Sequence, residues 1–136
     1  MRYRLTAVLL GTVLSIPALA DFDAGMEAYR FQDYDTAYKE FYQAAIEGDQ
    51  TAQFNIGVMY YRGQSVAKDL VRAYCWIELA ADPENADDMR VITKLSILLT
   101  PDQVQKGQAM AAELASTHGL SYTPSDGDEP IAIANR

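Results

Sequence analysis

Apolar residues recur along the chain at the three- and four-residue spacing of an amphipathic α-helix, and polar residues fill the positions between them. Glycine, proline and helix-capping residues interrupt this pattern at regular intervals. The pattern predicts six helices, over residues 23–31, 35–46, 50–62, 69–81 and 86–99, with the last between Thr100 and Gly119. No segment shows the strict alternation of a half-buried strand, so the fold class is predicted to be all-α.

The helix ends are marked most clearly at three places. Gly48 stands just after the second helix, and Asp49 is placed to cap the third. Thr100 is followed by proline and, three residues on, by Gln103, which is the pattern of a capping box. These signals divide the six helices into about three antiparallel pairs.

The chain repeats itself at an interval of one helix pair. The pair Ala44-Ala45 recurs 36 residues later as Ala80-Ala81. Three further matches share this offset: Ala37 with Ala73, Tyr38 with Tyr74, and Phe41 with Ile77. Self-similarity at this period is typical of stacked solenoids, in which one helix pair cannot bury its apolar face without a neighbour. We therefore predict a short α-solenoid, a fold that favours a binding scaffold over an enzyme.

The first twenty residues have the pattern of a secretory signal peptide. Arg2 and Arg4 precede the apolar run 5–16, and the small residues Ala18 and Ala20 fit a cleavage site after Ala20. The run is short for a membrane anchor, which is the alternative reading. Export to the periplasm or secretion is expected. The predicted organisation is a signal peptide at 1–20, a repeat domain at 21–119, and a disordered acidic tail at 120–136.

The acidic balance limits the classes of partner. The net charge of −8 becomes −10 when the two arginines of the signal peptide are removed. An acidic surface repels phosphate backbones and anionic membranes, so neither nucleic acid nor a membrane is expected as a partner. The charge is also consistent with a solvated surface that only keeps the protein soluble.

Candidate chemistry is sparse. Cys75 is the single cysteine and lies in an apolar helix; a buried thiol, an intermolecular disulfide and a reactive thiol all remain open. His118 is the single histidine and stands at a helix end. The sequence therefore predicts no enzyme, no metal site and no cofactor.

The residues of the third and fourth helices carry a family resemblance. The run Ala52-Gln53-Phe54-Asn55-Ile56-Gly57-Val58-Met59-Tyr60-Tyr61-Arg62-Gly63, followed by Val66, Asp69, Ala73, Trp76, Ala80 and Ala81, resembles the Sel-like repeat (SLR) family, relatives of the tetratricopeptide solenoids. The match covers one full unit, about residues 51–81. Downstream the pattern fails, because Glu84 and Asp88 stand 36 residues after Gly48 and Ala52, where the repeat would have a glycine and an alanine. The third pair is therefore similar to the degenerate capping helices of such proteins.

The resemblance assigns structural roles to eight residues. Ala52, Gly57, Ala73 and Ala80 are small where helices approach; Ile56, Tyr60 and Trp76 fill the space between pairs; Gly63 leaves the helix with a left-handed backbone. Trp76 is expected between the second and third pairs. The family usually has a second glycine where this chain has Ser65, so a positive φ there costs about 1–2 kcal/mol.

The resemblance implies an adaptor or scaffold that binds a protein or peptide, with a role as a subunit of an envelope complex as one form of it. A secreted hydrolase or binder acting on cell-wall or β-lactam-like substrates is the alternative, since some cysteine-rich relatives are associated with it. Those relatives carry disulfide pairs, which this chain lacks.

The helical wheel of the third helix gives a candidate binding surface. Asn55, Val58 and Arg62 fall on the flank that a first-of-pair helix presents to the groove, and Arg30 precedes Arg62 by the 32 residues that separate the first two such helices. Two arginines on an acidic protein would suit a carboxylate or an acidic peptide. They would equally serve to neutralise nearby Asp and Glu.

Overall fold

The structure is a computed structural model that describes residues 22–125, and this part of the chain consists of helices without strands. The helices are α1 Phe22–Arg30, α2 Tyr34–Ile46, α3 Gln50–Arg62, α4 Leu70–Ala80, α5 Ala86–Ser96 and α6 Pro101–His118. The all-α prediction is confirmed. Predicted and observed ends agree within one or two residues except in α5, which ends at Ser96 instead of Leu99. The predicted signal peptide and the last eleven residues, 126–136, lie outside the described residues.

Local side-chain contacts explain why the helices begin where they do. The Asp49 carboxylate accepts a hydrogen bond from the Ala52 N–H at 2.8 Å, which caps α3. At α6 the predicted capping box is present: the Gln103 N–H donates to the Thr100 hydroxyl at 3.3 Å, and the Thr100 N–H donates to Gln103 Oε1 at 2.9 Å.

The loop from α3 to α4 has the left-handed backbone that the sequence suggested. Gly63 has φ +69°, and Ser65, which stands in place of a glycine, has φ +63°. The Ser65 hydroxyl donates a hydrogen bond of 2.6 Å to Asp35 Oδ1 on α2. This contact ties the loop to the first helix pair and offsets part of the strain of a positive φ at serine.

The first four helices form two stacked pairs. α1 packs on α2, α3 packs on α4, and α2 joins the pairs by packing on α3. Among the residues assigned to the repeat core, Ala52, Ile56 and Ala73 are completely buried, and Gly57, Tyr60 and Trp76 are also buried, whereas Ala80 is half-buried. Gly63 is the exposed C-cap of α3. Trp76 contacts Tyr42 of α2 edge to face, with the two ring centroids 5.8 Å apart. Its indole therefore lies against the first helix pair, and not only between the second and third pairs as the sequence predicted.

The third pair departs from a regular hairpin. α6 packs along α4, whereas α5 contacts α4 through a small cluster and forms no extended interface with α6. The helices α4 and α6 run in the same direction. In the first part of each helix Gly107 contacts Tyr74, and at the other end Gly119 and Leu79 line the same cavity. At this turn Glu84 replaces the glycine of the repeat, which has φ +102° at Gly48. A side chain disfavours that backbone, so the turn and α5 take another course.

Residues 120–125, which we call the C-terminal strap, follow α6 and contact the helices. Leu120 and Tyr122 pack against the main core, and the Ser125 N–H donates a hydrogen bond to Glu78 on α4 at 2.9 Å. The ordered part of the chain thus extends past Gly119, where the sequence suggested that disorder begins, because two apolar side chains and one buried acceptor hold the strap.

Candidate functional site

The displacement of α5 opens a groove between α3 and α5, with α4 as its floor. We call it the α3–α5 groove. Its cavity has a volume of about 320 Å³. The lining residues are Gln50, Thr51, Phe54, Ile77, Ala80, Ala81, Asp88 and Val91.

The groove has an apolar floor and a polar rim. Ile77 and Ala80 form the floor, and Phe54, whose side chain is 38% exposed, forms one wall. On the opposite rim Asp88 is engaged locally, since its Oδ2 accepts a hydrogen bond of 3.0 Å from the Asp82 N–H. This arrangement suits an apolar side chain that enters from a neighbouring molecule, with polar contacts around it.

Phe54 belongs to a stripe on α3 in which Thr51, Phe54 and Tyr61 are exposed and Val58 is half-buried. Thr51, Phe54, Val58 and Tyr61 follow one another at helical spacing, and Tyr61 is 41% exposed. Lys68 lies with Nζ 5.4 Å from the centre of the Tyr61 ring. Large aromatic side chains left exposed on a helix of a small domain are typical of contact surfaces.

The four residues predicted to line a binding groove do not share this surface fully. Val58 is on the stripe, but Asn55 faces α1, with its Nδ2 3.9 Å from Met26 Sδ. Arg62 also reaches α1, where it donates to the Tyr29 hydroxyl at 2.9 Å. Arg30 lines a separate cavity together with Asp23 and Glu27 of α1.

Phe54 and Tyr61 were not selected from the sequence because both lie inside the repeat motif. The signal that could have found them is their phase: they are seven residues apart on α3 and fall off the stripe of Ala52, Ile56 and Met59. An aromatic residue off the core stripe of an amphipathic helix is a candidate contact residue.

Comparison with known proteins identifies the fold. No protein-family model matches the chain. It is 50% identical over 42 residues to a sel1-like repeat-containing protein of Acanthamoeba polyphaga mimivirus, a match that covers 31% of the chain and 7% of that protein. It is also similar, with a TM-score of 0.65 and 20% identity, to the crystal structure of a protective antigen present in uropathogenic Escherichia coli strains and displaying an SLR fold. The chain has the Sel-like repeat fold.

The structural match covers 85% of this chain and 27% of the antigen, so the chain spans a small part of both proteins. The resemblance seen in the sequence is confirmed. Stacked helix pairs of this kind present extended surfaces, but the fold alone does not assign a function.

A second cleft, of about 280 Å³, is lined by residues of α2, α3, α4 and α6. Its aromatic side chains are largely engaged with one another. The Tyr38 and Tyr60 hydroxyls lie 3.0 Å apart, and the Arg72 guanidinium lies 5.7 Å from the Tyr60 ring centre. Burial and the hydrogen bond with Tyr60 raise the pKa of Tyr38, so this phenol stays neutral. These contacts join α2, α3 and α4 through Tyr38, which the repeat offset identified, and through Tyr60 of the repeat motif.

Cys75 lies at the bottom of this cleft and is buried. Burial raises the pKa of its thiol from 9.0 to about 12. The raised pKa makes the folded state less stable relative to the unfolded state as the pH rises from 9 toward 12, because only the unfolded thiol then ionises.

We expect Cys75 to resist alkylation in the native protein. Burial raises the pKa of the thiol and removes it from solvent, so little reactive thiolate is present or accessible at pH 8. Reaction with Ellman's reagent, followed by absorbance, should be slow in buffer and complete within minutes in denaturing urea. Rapid labelling of the folded protein would instead favour the reactive thiol, and absence of labelling even in urea without reductant would indicate an intermolecular disulfide.

Within residues 22–125, no group of three or more His, Cys, Asp or Glu side chains is placed to hold a metal ion. His118 is exposed at the end of α6, and no hydrogen bond within the described residues joins it to the buried Cys75. None of the described helices has the length and apolar character needed to cross a bilayer.

Proposed function

We propose that the chain is an exported adaptor or scaffold that binds a segment of a protein partner in the α3–α5 groove. The observation that carries the proposal is the exposed Phe54 beside an open cavity with an apolar floor. The cavity accepts one apolar side chain of the partner, and Gln50 and Thr51 offer hydrogen-bonding groups at its edge.

The size of the groove sets the expected strength of this contact. Full burial of a leucine- or phenylalanine-sized side chain contributes about 1.5–3 kcal/mol. One anchor of this kind gives a transient complex, so the remaining affinity comes from contacts along the stripe of Thr51, Val58 and Tyr61. This favours an adaptor whose partner exchanges.

Export is part of the proposal and rests on the pattern of residues 1–20. The mature protein would work in the periplasm or outside the cell, as a subunit of an envelope complex or as a free adaptor. Intact-mass measurement on the envelope fraction tests this step, and a chain that begins at Asp21 is the expected result. Full-length chain in the cytosol would contradict it.

Phe54→Ala is expected to weaken capture of the partner by about tenfold, equivalent to 1.4 kcal/mol, without unfolding the domain. Its side chain is partly exposed, so the loss of packing is small. Immobilised native and variant proteins would be exposed to the same envelope extract, and the proteins retained would be quantified by mass spectrometry.

The matched control is the double variant Arg30→Ala with Arg62→Ala, which removes the cationic surface and leaves the α3–α5 groove intact. A partner lost with this control, and kept by Phe54→Ala, would place the binding surface on α1 and indicate an acidic peptide. Circular dichroism should show unchanged helix content in all variants.

A further inference from the structure

The C-terminal strap crosses a part of the surface that does not include Phe54. It leaves α6 after Gly119, passes the loop between α2 and α3, and reaches α4 at Glu78. A cavity of about 540 Å³ lies beside it, lined by Gly48, Asp49, Gln50, Thr51, Gln53, Leu79, Gly119, Leu120 and Ser121. The strap thus runs over the surface as an extended segment of peptide would.

Glu78, which lies under the strap, is only 1% exposed. Its Oε1 accepts hydrogen bonds from the Ser125 N–H at 2.9 Å and from the Tyr122 hydroxyl at 3.4 Å. Its Oε2 is buried and has no hydrogen-bond partner. The ion pairs among residues 22–125 join Arg72 to Asp69 and Arg90 to Asp87, and neither involves Glu78.

A carboxylate in this setting lacks what buried carboxylates ordinarily have, a cation or a full set of donors. The strap provides one good N–H donor, one long hydroxyl contact and no charge. Gln53 shows the same deficit nearby: it is buried, its amide nitrogen donates to the Ala45 carbonyl at 3.0 Å, and its Oε1 has no partner. The strap therefore covers Glu78 Oε2 and Gln53 Oε1 without donating a hydrogen bond to either oxygen.

We propose that Glu78 is a receptor for the basic side chain of an extended peptide, and that the strap is a self-segment which occupies this position until such a peptide displaces it. A lysine or arginine would bring to Oε2 the charge-assisted hydrogen bond that the strap does not supply. The net charge of −8 favours the approach of a basic peptide. Gln50 and Thr51 line both the α3–α5 groove and the cavity beside the strap, but neither Glu78 nor the strap lines the groove. The two proposals can therefore be tested separately, by variants of Phe54 and of Glu78.

The test compares two short peptides, blocked at both ends: Ala-Ala-Lys-Ala-Ala and the same sequence with acetyl-lysine. Binding to the isotopically labelled protein would be followed by NMR at the Ser125 amide, together with hydrogen exchange at that amide. The lysine peptide is expected to bind, shift the Ser125 signal and accelerate its exchange, whereas the acetylated peptide is not.

Two variants of the full chain separate the roles of strap and receptor. Leu120→Ala loosens the strap without touching Glu78, so the apparent affinity for the lysine peptide should rise by about the same factor as the open fraction, about tenfold. Glu78→Gln keeps the shape and removes the charge, so the preference for lysine over acetyl-lysine should disappear.

Phe54→Ala, which acts on the α3–α5 groove, should leave binding of the lysine peptide unchanged. Equal binding of the two peptides to the native and Leu120→Ala proteins, or binding that leaves Ser125 protected, would overturn the proposal. This comparison needs no folded Glu78→Gln protein, and it therefore decides the matter if that variant is unstable.

Discussion

Replacing Trp76 with alanine is expected to destabilise the domain by about 3–5 kcal/mol. The indole is 5% exposed, contacts Tyr42 of α2 edge to face, and belongs to the core cluster that also holds Phe41 and Met59. Removing it leaves a cavity where the first two helix pairs meet. The loss is a large part of the 5–15 kcal/mol that is typical of a whole domain, so the variant should be partly unfolded at 37 °C.

Urea denaturation followed by circular dichroism measures this effect, and Tyr61→Ala is the matched control. Tyr61 is also a large aromatic on a helix of the same repeat, but its side chain is 41% exposed, so its removal should change the free energy of unfolding by less than about 0.5–1 kcal/mol. Similar losses for the two variants would mean that Trp76 does not join the helix pairs in solution.

Helix positions could be predicted from the sequence because their determinants are local. Asp49 and Thr100 cap helices through residues three positions away, and these contacts occur in the structure at the predicted places. The 36-residue offset also paired Ala37 with Ala73, and both are completely buried, since a repeat places equivalent residues in equivalent surroundings.

The course of the third pair could not be predicted in the same way. Glu84 and Asp88 showed that the repeat pattern fails, but not where α5 and α6 go instead. The position of α6 depends on how Gly107 meets Tyr74, a contact between residues distant in sequence. The α3–α5 groove results from that rearrangement. The helical phase of Phe54 could have marked this residue as exposed, but it could not have shown that a groove lies beside it.

The burial of Glu78 could not be predicted either, because it also depends on residues that are distant in sequence. Its partners, Tyr122 and Ser125, are 44 and 47 residues away in a segment whose composition indicated disorder. Composition predicts whether a segment folds by itself, not whether a few of its side chains find a preformed surface. Arg62 is a second example, since the helical wheel placed it on the flank of a binding groove, whereas in the structure it donates to the Tyr29 hydroxyl on α1.

Gly57→Ala is the second substitution with a large expected effect, a loss of about 1–3 kcal/mol from overpacking. A β-carbon at this position would lie 2.4 Å from Ile77 Cγ1 and 3.1 Å from the Ala73 carbonyl oxygen on α4. The helices must separate to admit it. Inside a helix, alanine is otherwise more stabilising than glycine by about 0.5–1 kcal/mol. A net loss of stability in Gly57→Ala would therefore show that α3 and α4 approach closely.

A double-mutant cycle with Ile77→Ala isolates the cause. Backbone conformation does not explain the glycine at position 57. Among the glycines of the described residues, a positive φ occurs at Gly48, Gly63 and Gly119. If steric contact with Ile77 is the reason for glycine, Gly57→Ala should cost less than about 1 kcal/mol, or stabilise, once Ile77 is already alanine. Urea midpoints of the four proteins provide the measurement. Strict additivity would mean that the Ala73 carbonyl, and not the Ile77 side chain, sets the distance between the two helices of the repeat.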